Sequence, residues 1–459
     1  MLPALGRRLS AFSRATTPDP FVLAAALTAL VLALAWAIEG FSPLDAVRAW
    51  RADSGLWSLL AFSMQMVLML VTGHALAETR PVRAAVRALA RQPRDGAQAA
   101  ALVAAVAIGA GLLNWGLGLV VGALLARDVG RECARRGVPA HYPLLCAAGY
   151  AGMMCWHGGL SGTAPLKVTT RAGLEELLGA STPHDLAPIE FTRTVLGAAN
   201  LVTTGGLFVL VPLACYLLAP RAGDPSLEPI DRFDVAPDAS SERPPPATWP
   251  ERFGESPLSL LLVLPALVTA VVLFFVETGV RQLEPNAINL GFLTLGLLLH
   301  GSLAAYARAI GEATRHAAGI VLQFPLYAGI MGVMRASGLT ASLAAGLTSI
   351  APASLYTVTT FLSAGLVNLF VPSGGGQWAV QGPIALEGAR ALGVPMEQAV
   401  MAVAYGDQWT NMLQPFWALP LLAITGARAK DLLGYTALLL LIGGAWMGGS
   451  LYVQAVLAR

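Results

Sequence analysis

The sequence predicts an all-α polytopic membrane protein that contains two inverted-topology repeats. The chain has 459 residues, of which 56% are hydrophobic and 12% are charged, whereas a soluble domain carries about 25% charged residues. The charged residues lie in short stretches between long apolar runs, which include residues 20–40, 56–76, 196–218 and 258–276. Because about 20 apolar residues cross the hydrocarbon core, these runs predict several membrane spans rather than a soluble core.

Charge and cysteine usage argue against other classes of protein. The net charge is +2, and no basic patch with interleaved aromatic residues occurs, so we expect no nucleic-acid partner. The cysteines show neither CxxC pairing nor metal-ligand spacing, and we expect them to pack as small apolar residues: Cys133, Cys146, Cys155 and Cys215. The first apolar run lacks a small-residue cleavage site, so we interpret it as a retained span rather than a signal peptide.

The arginine distribution orients the spans, because positively charged short loops stay cytoplasmic. It places the N-terminus and the arginine-rich loop at residues 80–94 on the cytoplasmic side. Residues 97–126 must begin and end on that side too, because Arg127 and Arg131 follow them. Two crossings need about 40 residues, and Asn114 interrupts this shorter stretch near its middle. We therefore predict a re-entrant hairpin, which membranes tolerate only where protein or a cavity surrounds it.

The same reasoning divides the whole chain. Residues 1–219 form a first transmembrane repeat, with its hairpin at about 97–126 and an interrupted helix at about 142–175. Residues 220–255 are rich in Pro and acids and predict a cytoplasmic linker without packed structure. Residues 256–459 comprise an extra span and a second repeat, with a hairpin at about 354–392 and an interrupted helix at about 398–424. The C-terminus is then periplasmic.

Internal self-similarity supports the two repeats. Three short segments recur in the same order, at offsets that agree to within two residues. Residues 110–114 match 364–368, residues 137–139 match 393–395, and residues 149–152 match 404–407. The charge-derived topology makes the second copy enter from the opposite side of the membrane. Inverted repeats with interrupted helices are found in many secondary transporters, which bind substrate near the midplane.

Four polar or glycine-rich interruptions of the apolar sequence are candidates for that substrate site. They begin at Asn114, His157, Pro372 and Gly406. The candidate substrate-binding residues are Asn114, Trp115, Gly116, His157, Gly158, Gly159, Ser161, Thr163, Ser373, Gly374, Gly375, Gly376, Gln377, Trp378, Gln408, Trp409 and Thr410. The four tryptophans could wall an apolar pocket for a short acyl chain, or they are ordinary core or interfacial residues.

The third interruption is the most informative. Pro372 ends one helical arm, the glycines at 374–376 let the chain turn, and we expect a helix to restart at Gln377. Free N–H groups and the positive end of that helix would bind an anion without a lysine or arginine, and Ser373 adds a hydroxyl donor. A carboxylate suits such a site. The alternative is a packing turn between closely approaching helices.

Asp407 lies within a predicted span, where acids are costly and usually functional. It either carries a coupling proton or helps bind a sodium ion with Asn411 and Asn368, since oxygen ligands suit a hard cation. The alternative is a structural pair with His157 or Lys167. His157 could itself relay a proton or be a hydrogen-bonded structural histidine. Beyond a coupling ion we expect no cofactor and no firmly bound metal.

At these residues the chain resembles a known family. Residues 370–383 and 406–415 closely resemble the bacterial short-chain fatty acid transporter family, and residues 63–75 and 156–165 strengthen the likeness. The resemblance implies uptake of acetoacetate, butyrate or a similar monocarboxylate across the cell inner membrane. More distantly, the layout is similar to the ion-transporter superfamily, which implies a homodimer. That superfamily's Ser-Asn-Thr hairpin tips are missing, so its sodium sites do not carry over.

Other functions remain as alternatives. A carrier for another small anion or a dicarboxylate is less favoured, because no arginine lies within a candidate binding segment. An intramembrane enzyme is the remote alternative, since HExxH and Asp-rich metal motifs are absent. A channel is disfavoured by the paired hairpins, which indicate alternating access around a closed site.

Overall fold

The computed structural model describes residues 8, 12, 15, 20–178, 187–235, 246, 248–277, 285–342, 352–372 and 374–457. These residues form helices and their connections, with no strand among them. Four helices are long and apolar enough to cross a membrane, and their bounds as spans are Phe21–Glu39, Gly96–Leu113, Ala198–Leu218 and Ala429–Leu457. The protein is therefore an all-helical, multi-pass membrane protein, as the composition predicts.

The first half of the chain contains ten helices within the described ranges. They are α1 (Pro20–Glu39), α2 (Pro43–Arg51), α3 (Leu60–Ala77), α4 (Arg80–Ala90), α5 (Gly96–Leu113), α6 (Trp115–Arg135), α7 (Tyr142–Tyr150), α8 (Thr163–Lys167), α9 (Arg171–Leu178) and α10 (Ala198–Leu218). Between α7 and α8 the chain forms two short 3₁₀ turns, Ala151–Met154 and Trp156–Gly158.

The second half follows with ten more helices in the part of the chain that the structure describes. They are α11 (Trp249–Glu255), α12 (Leu264–Glu277), α13 (Pro285–His300), α14 (Leu303–Thr314), α15 (Ala318–Ala336), α16 (Tyr356–Asn368), α17 (Gly374–Leu392), α18 (Met396–Thr410), α19 (Pro415–Thr425) and α20 (Ala429–Leu457). A 3₁₀ turn, Asn411–Leu413, separates α18 from α19.

Helices α5 and α6 fold back on each other at Asn114. The Asn114 backbone is extended, and its Oδ1 accepts hydrogen bonds from the N–H groups of Gly116 and Leu117 at 2.9 and 3.1 Å. This side chain caps α6 and so starts a new helix one residue after α5 ends. The second arm continues to Arg135, past the predicted end near residue 126, because its charges are paired: Arg127 contacts Glu78 and Asp128.

Glycines allow the backbones around this hairpin to touch. A Cβ on Gly118 would lie 2.5 Å from Gly111 Cα, and one on Gly122 would lie 2.0 Å from the Gly149 carbonyl oxygen. Likewise, a Cβ on Gly111 would lie 2.8 Å from the Gly152 carbonyl oxygen. Helices α5, α6 and α7 therefore pack with almost no side-chain volume between them, which places the interruption that begins at His157 directly against the hairpin tip.

The start of the predicted linker is packed, contrary to expectation. The Tyr142 N–H donates to the Glu228 carbonyl oxygen at 2.8 Å, and the Glu228 N–H donates to His141 Nδ1 at 3.1 Å. Ile230 is buried in the same stretch. The segment orders because it supplies partners to the N-terminus of α7, where helical N–H groups have no acceptor. Residues 236–245 and 247 of the linker lie outside the described residues.

Two interruptions in the second half of the chain fall at residues other than those predicted. Helix α17 starts at Gly374 rather than Gln377, so the three glycines form its first turn. Helix α18 runs through Gly406 and ends at Thr410, so the break falls at residues 411–414, just before Pro415. Gly406 serves close packing instead of a turn, because a Cβ there would lie 2.3 Å from the Phe361 carbonyl oxygen.

Candidate functional site

The two halves of the chain meet at a buried pair, His157 and Asp407. His157 lies in the 3₁₀ turn before α8 and is 0% exposed, while Asp407 lies on α18 and is 1% exposed. His157 Nδ1 is 3.3 Å from Asp407 Oδ2. The alternative that pairs Asp407 with His157 is therefore the geometry observed, whereas Lys167 is exposed.

A backbone contact decides which nitrogen of His157 carries hydrogen. The Ala164 N–H donates to His157 Nε2 at 3.0 Å. A nitrogen that accepts a hydrogen bond has no proton of its own, so the neutral imidazole holds its proton on Nδ1. Nδ1 lies beside the Asp407 carboxylate at 3.3 Å, without hydrogen-bond geometry between the two atoms.

Gln408 and Asn200 hold the turn that carries His157. Gln408 Oε1 accepts hydrogen bonds from the N–H groups of His157 and Gly158 at 3.0 and 3.1 Å. Asn200 Nδ2 donates to the Gly158 carbonyl oxygen at 2.9 Å, and its Oδ1 accepts from the Tyr405 hydroxyl at 2.8 Å. Sequence reasoning missed Asn200, although a buried amide within an apolar span was an available signal.

The N-terminus of α17 faces the same pair. A Cβ on Gly374 would lie 2.8 Å from Trp156 Cη2, 3.2 Å from Asp407 Oδ2 and 3.2 Å from His157 Cε1. Gly375 is less crowded, since its nearest neighbour, Thr163 Cγ2, would be 3.7 Å from a Cβ. First-turn N–H groups have no acceptor within their helix and carry partial positive charge. Ser373, the predicted hydroxyl donor, lies outside the described residues.

Three tryptophans cluster beside this helix end. Trp156 stacks on His157 with ring centroids 4.2 Å apart, and Trp115 lies edge-on to Trp156 at 6.4 Å. Trp417 of α19, which the sequence did not single out, completes the cluster at 5.2 Å from Trp115. The buried Nε1 of Trp156 has no hydrogen-bond partner among the described residues.

Other predicted tryptophans are placed differently. Trp409 stacks on Phe361 at 4.7 Å and donates Nε1–H to the Leu440 carbonyl oxygen at 2.7 Å. It therefore packs between α16 and α20, away from His157. Trp378 is buried on the second turn of α17, and a Cβ on Gly382 would lie 2.9 Å from its Cδ2.

The tip of the first hairpin contacts the interruption that begins at His157 rather than Asp407. The Trp115 N–H donates to Ser161 Oγ at 3.1 Å, and the Leu160 N–H donates to the Leu112 carbonyl oxygen at 2.7 Å. Gly159 packs on Leu112, and a Cβ on Gly116 would overlap Met69 Sδ at 1.9 Å. In the second hairpin, Gln377 Nε2 donates to the Ala364 carbonyl oxygen at 2.8 Å and joins the two arms.

The predicted sodium ligands surround an amide nitrogen. Asn368 Nδ2 lies 2.7 Å from the Asp407 carbonyl oxygen, 3.0 Å from Thr410 Oγ1 and 2.8 Å from Asn411 Oδ1. These oxygens thus already face a donor, and the Asp407 carboxylate is turned toward His157 instead. Within the described residues, no cluster of three or more His, Cys, Asp or Glu side chains is arranged to hold a metal. Sodium binding stays a prediction.

Comparison with known proteins identifies the family. The family model described as short chain fatty acid transporter matches residues 1–454. A relative from Escherichia coli K12 that bears the same family designation is 39% identical over 97% of this chain and 98% of its own length. A second, from Haemophilus influenzae, is 36% identical over 95% of this chain and 96% of its own length.

Among solved structures, the Alcanivorax borkumensis YdaH transporter is 18% identical with a TM-score of 0.43, covering 95% of this chain and 98% of its own. A likeness at that level carries no argument here. The family match confirms the resemblance seen in the sequence and the interpretation as a transporter rather than an enzyme. The chain belongs to the short-chain fatty acid transporter family.

Proposed function

We propose that the protein imports a short-chain monocarboxylate, such as acetoacetate or butyrate, across the bacterial inner membrane by cation-coupled alternating access. The observation that supports it most is the buried site to which both halves contribute: His157 from the first, Asp407 and Gly374 from the second. Transporters built from two repeats bind substrate where the repeats meet. A site of this kind opens to one side when one half moves against the other.

The substrate carboxylate binds at the N-terminus of α17. Its first-turn N–H groups and partial positive charge suit an anion. The three side chains nearest to a Cβ on Gly374 are those of Trp156, Asp407 and His157, with no lysine or arginine among these three. A single carboxylate is therefore a better match than a dicarboxylate. The cluster of Trp115, Trp156 and Trp417 offers an apolar wall to a short acyl chain.

The two repeats have inverted topology, each with a re-entrant hairpin and an interrupted helix. Asn114 follows the first arm of one hairpin, and Asn368 ends the first arm of the other, as the sequence match requires. The interrupted helices contribute His157, from the break between α7 and α8, and Asp407, from the last turn of α18 before its break. In this arrangement the N-terminus is cytoplasmic and the C-terminus periplasmic, and the protein forms a homodimer as in the distant superfamily. Asp407 is the coupling residue, for a proton or for a sodium ion that Asn411 and Asn368 help to bind.

Counterflow in proteoliposomes tests this proposal. Vesicles loaded with unlabelled acetoacetate or butyrate should transiently accumulate the labelled compound beyond protein-free vesicles, which report leakage of the protonated acid. Imposed proton and sodium gradients, applied separately, should show which of the two raises accumulation. Folded protein that shows no counterflow with either compound would remove the proposed substrate.

A further inference from the structure

We propose that the Asp407 carboxylate occupies the anion site of α17 at rest, and that a substrate carboxylate replaces it only after Asp407 takes up a proton. Each monocarboxylate is then carried with one proton. This inference rests on the proposed function, because it assigns the coupling ion and the order of events at that same site.

The position of Asp407 supports the first part. Its Oδ2 would lie 3.2 Å from a Cβ on Gly374, the first residue of α17, and the acid is 1% exposed. Oδ2 has no hydrogen-bond partner among the described residues apart from the 3.3 Å approach of His157 Nδ1. An ionised carboxylate with so few partners is costly to bury. The positive end of α17 and the nearby polar Nδ1–H of His157, at 3.3 Å, offset that cost electrostatically rather than through a hydrogen bond.

His157 is not the group that takes up the proton. A second proton on its imidazole would have to sit on Nε2, which accepts the hydrogen bond from the Ala164 N–H. Protonation there would break that bond and place two hydrogens against each other. The proton-accepting atoms left at the pair belong to Asp407.

The groups around Asp407 also favour a proton over a sodium ion as the coupling ion. A sodium ion at Asp407 would face the Nδ1–H of His157 and the positive end of α17, both of which repel a cation. The neighbouring oxygens of Thr410 and Asn411 already face the Asn368 amide nitrogen.

Competition for one buried position beside the N-terminus of α17 produces the coupling. Two ionised carboxylates cannot share a buried site without strong repulsion. Substrate entry therefore requires that Asp407 be neutral, and release of both substrate and proton lets the carboxylate return to α17. The site holds one negative charge when empty, on Asp407, and one when loaded, on the substrate. Net transport is consequently electroneutral.

Among the described residues, His157 is the ionisable side chain in contact with Asp407. Other ionisable side chains on α18 and on the helices packed against it contact groups other than the Asp407 carboxylate. On α18, Tyr405 donates to Asn200 and Glu397 pairs with Arg193. Further ionisable groups lie on the neighbouring helices. Lys167, Glu387, Arg390 and Tyr452 are exposed and Lys430 is half-buried. Tyr356 donates to the Ala385 carbonyl oxygen, Asp431 pairs with Arg428, and Tyr435 packs edge-on to His141.

Calorimetric titration of butyrate into the purified full-length protein tests the inference. Binding at neutral pH is measured in two buffers with different protonation enthalpies, which yields the number of protons taken up per butyrate. The wild type should take up about one proton. Asp407→Asn should bind butyrate with no proton uptake, because its side chain is already neutral. Asp431→Asn, which changes the other buried aspartate of the described residues, should match the wild type.

The outcomes separate the two proposals. Butyrate binding without proton uptake in the wild type, or with unchanged proton uptake in Asp407→Asn, would overturn the inference and leave the proposed function standing. Absence of binding by folded wild type to either butyrate or acetoacetate would overturn both. If Asp407→Asn does not fold, the pH dependence of butyrate binding by the wild type tests the inference instead. The butyrate affinity of the wild type should fall as the pH rises, by about tenfold per pH unit for one coupled proton, regardless of sodium. A flat or sodium-dependent profile contradicts the inference.

Discussion

Gln408 of the second half holds the backbone of His157 in the first half. Its Oε1 accepts hydrogen bonds from the N–H groups of His157 and Gly158, and the Gly158 N–H also donates to the Cys155 carbonyl oxygen at 3.2 Å. This contact joins residues 251 positions apart. It fixes the turn that places the His157 imidazole beside Asp407.

Removal of that acceptor should destabilise the protein. Gln408→Leu removes the side-chain acceptor of the buried His157 N–H, whereas the Gly158 N–H keeps its contact with the Cys155 carbonyl oxygen. A buried N–H group that loses its acceptor costs about 1–3 kcal/mol. We expect a lower thermal unfolding temperature in detergent and loss of counterflow. Gln398→Leu is the matched control, because it lies on the same helix and its Oε1 has no hydrogen-bond partner in the part of the chain that the structure describes. Equal unfolding temperatures for the two variants would contradict the role given to Gln408.

Adjacent glycines at the start of α17 should differ sharply in transport. Gly374→Ala places a methyl group 2.8 Å from the rigid Trp156 ring and 3.2 Å from Asp407 Oδ2, whereas Gly375→Ala meets only Thr163 Cγ2 at 3.7 Å. We expect Gly374→Ala to abolish most butyrate counterflow and Gly375→Ala to retain it. Both substitutions lie in the same helical turn, so their effects on helix propensity are similar. Comparable butyrate counterflow by the two variants would show that transport does not require the space around Gly374.

The hairpin of α5 and α6 should depend on Gly111 and not on Gly109. A Cβ on Gly111 would lie 2.8 Å from the Gly152 carbonyl oxygen, a backbone atom that cannot easily move, while one on Gly109 would lie 3.7 Å from Phe208. Overpacking of this kind costs about 1–3 kcal/mol. Thermal unfolding should show a marked loss for Gly111→Ala and little change or a small gain for Gly109→Ala. A larger loss of thermal stability for Gly109→Ala than for Gly111→Ala would contradict the close contact assigned to Gly111.

The proposed topology is checked by labelling with a membrane-impermeant maleimide on intact cells. The four native cysteines are buried, so the signal comes from an introduced one. Glu190→Cys lies on the exposed segment between α9 and α10 and should react from outside, because the proposed topology makes the interrupted helix of the first repeat run outward from the cytoplasmic side. Arg94→Cys, in the exposed arginine-rich loop, should react only after the membrane is permeabilised. Reaction of Arg94→Cys on intact cells would invert the assignment.

Local features of the chain explain what the sequence could predict. The break after α5 follows from Asn114, whose short amide side chain caps the next helix from its own position. The interruption at 157–163 follows from its glycines and polar residues, which lower helix propensity locally. The two misplaced interruptions have a common reason. Glycine is compatible with a first helical turn and with close helix packing, so Gly374 and Gly406 did not require the turns predicted for them.

The sequence by itself determined the all-helical membrane class, the positions of most helices and the family, because these depend on hydrophobic runs and motifs contiguous along the chain. The tertiary structure alone decided which partner Asp407 takes, that Asn200 and Trp417 join the site, and that Trp409 does not. Those contacts join residues far apart in sequence, such as His157 and Gln408. Their existence depends on how the two halves pack, and no local pattern of residues records that packing.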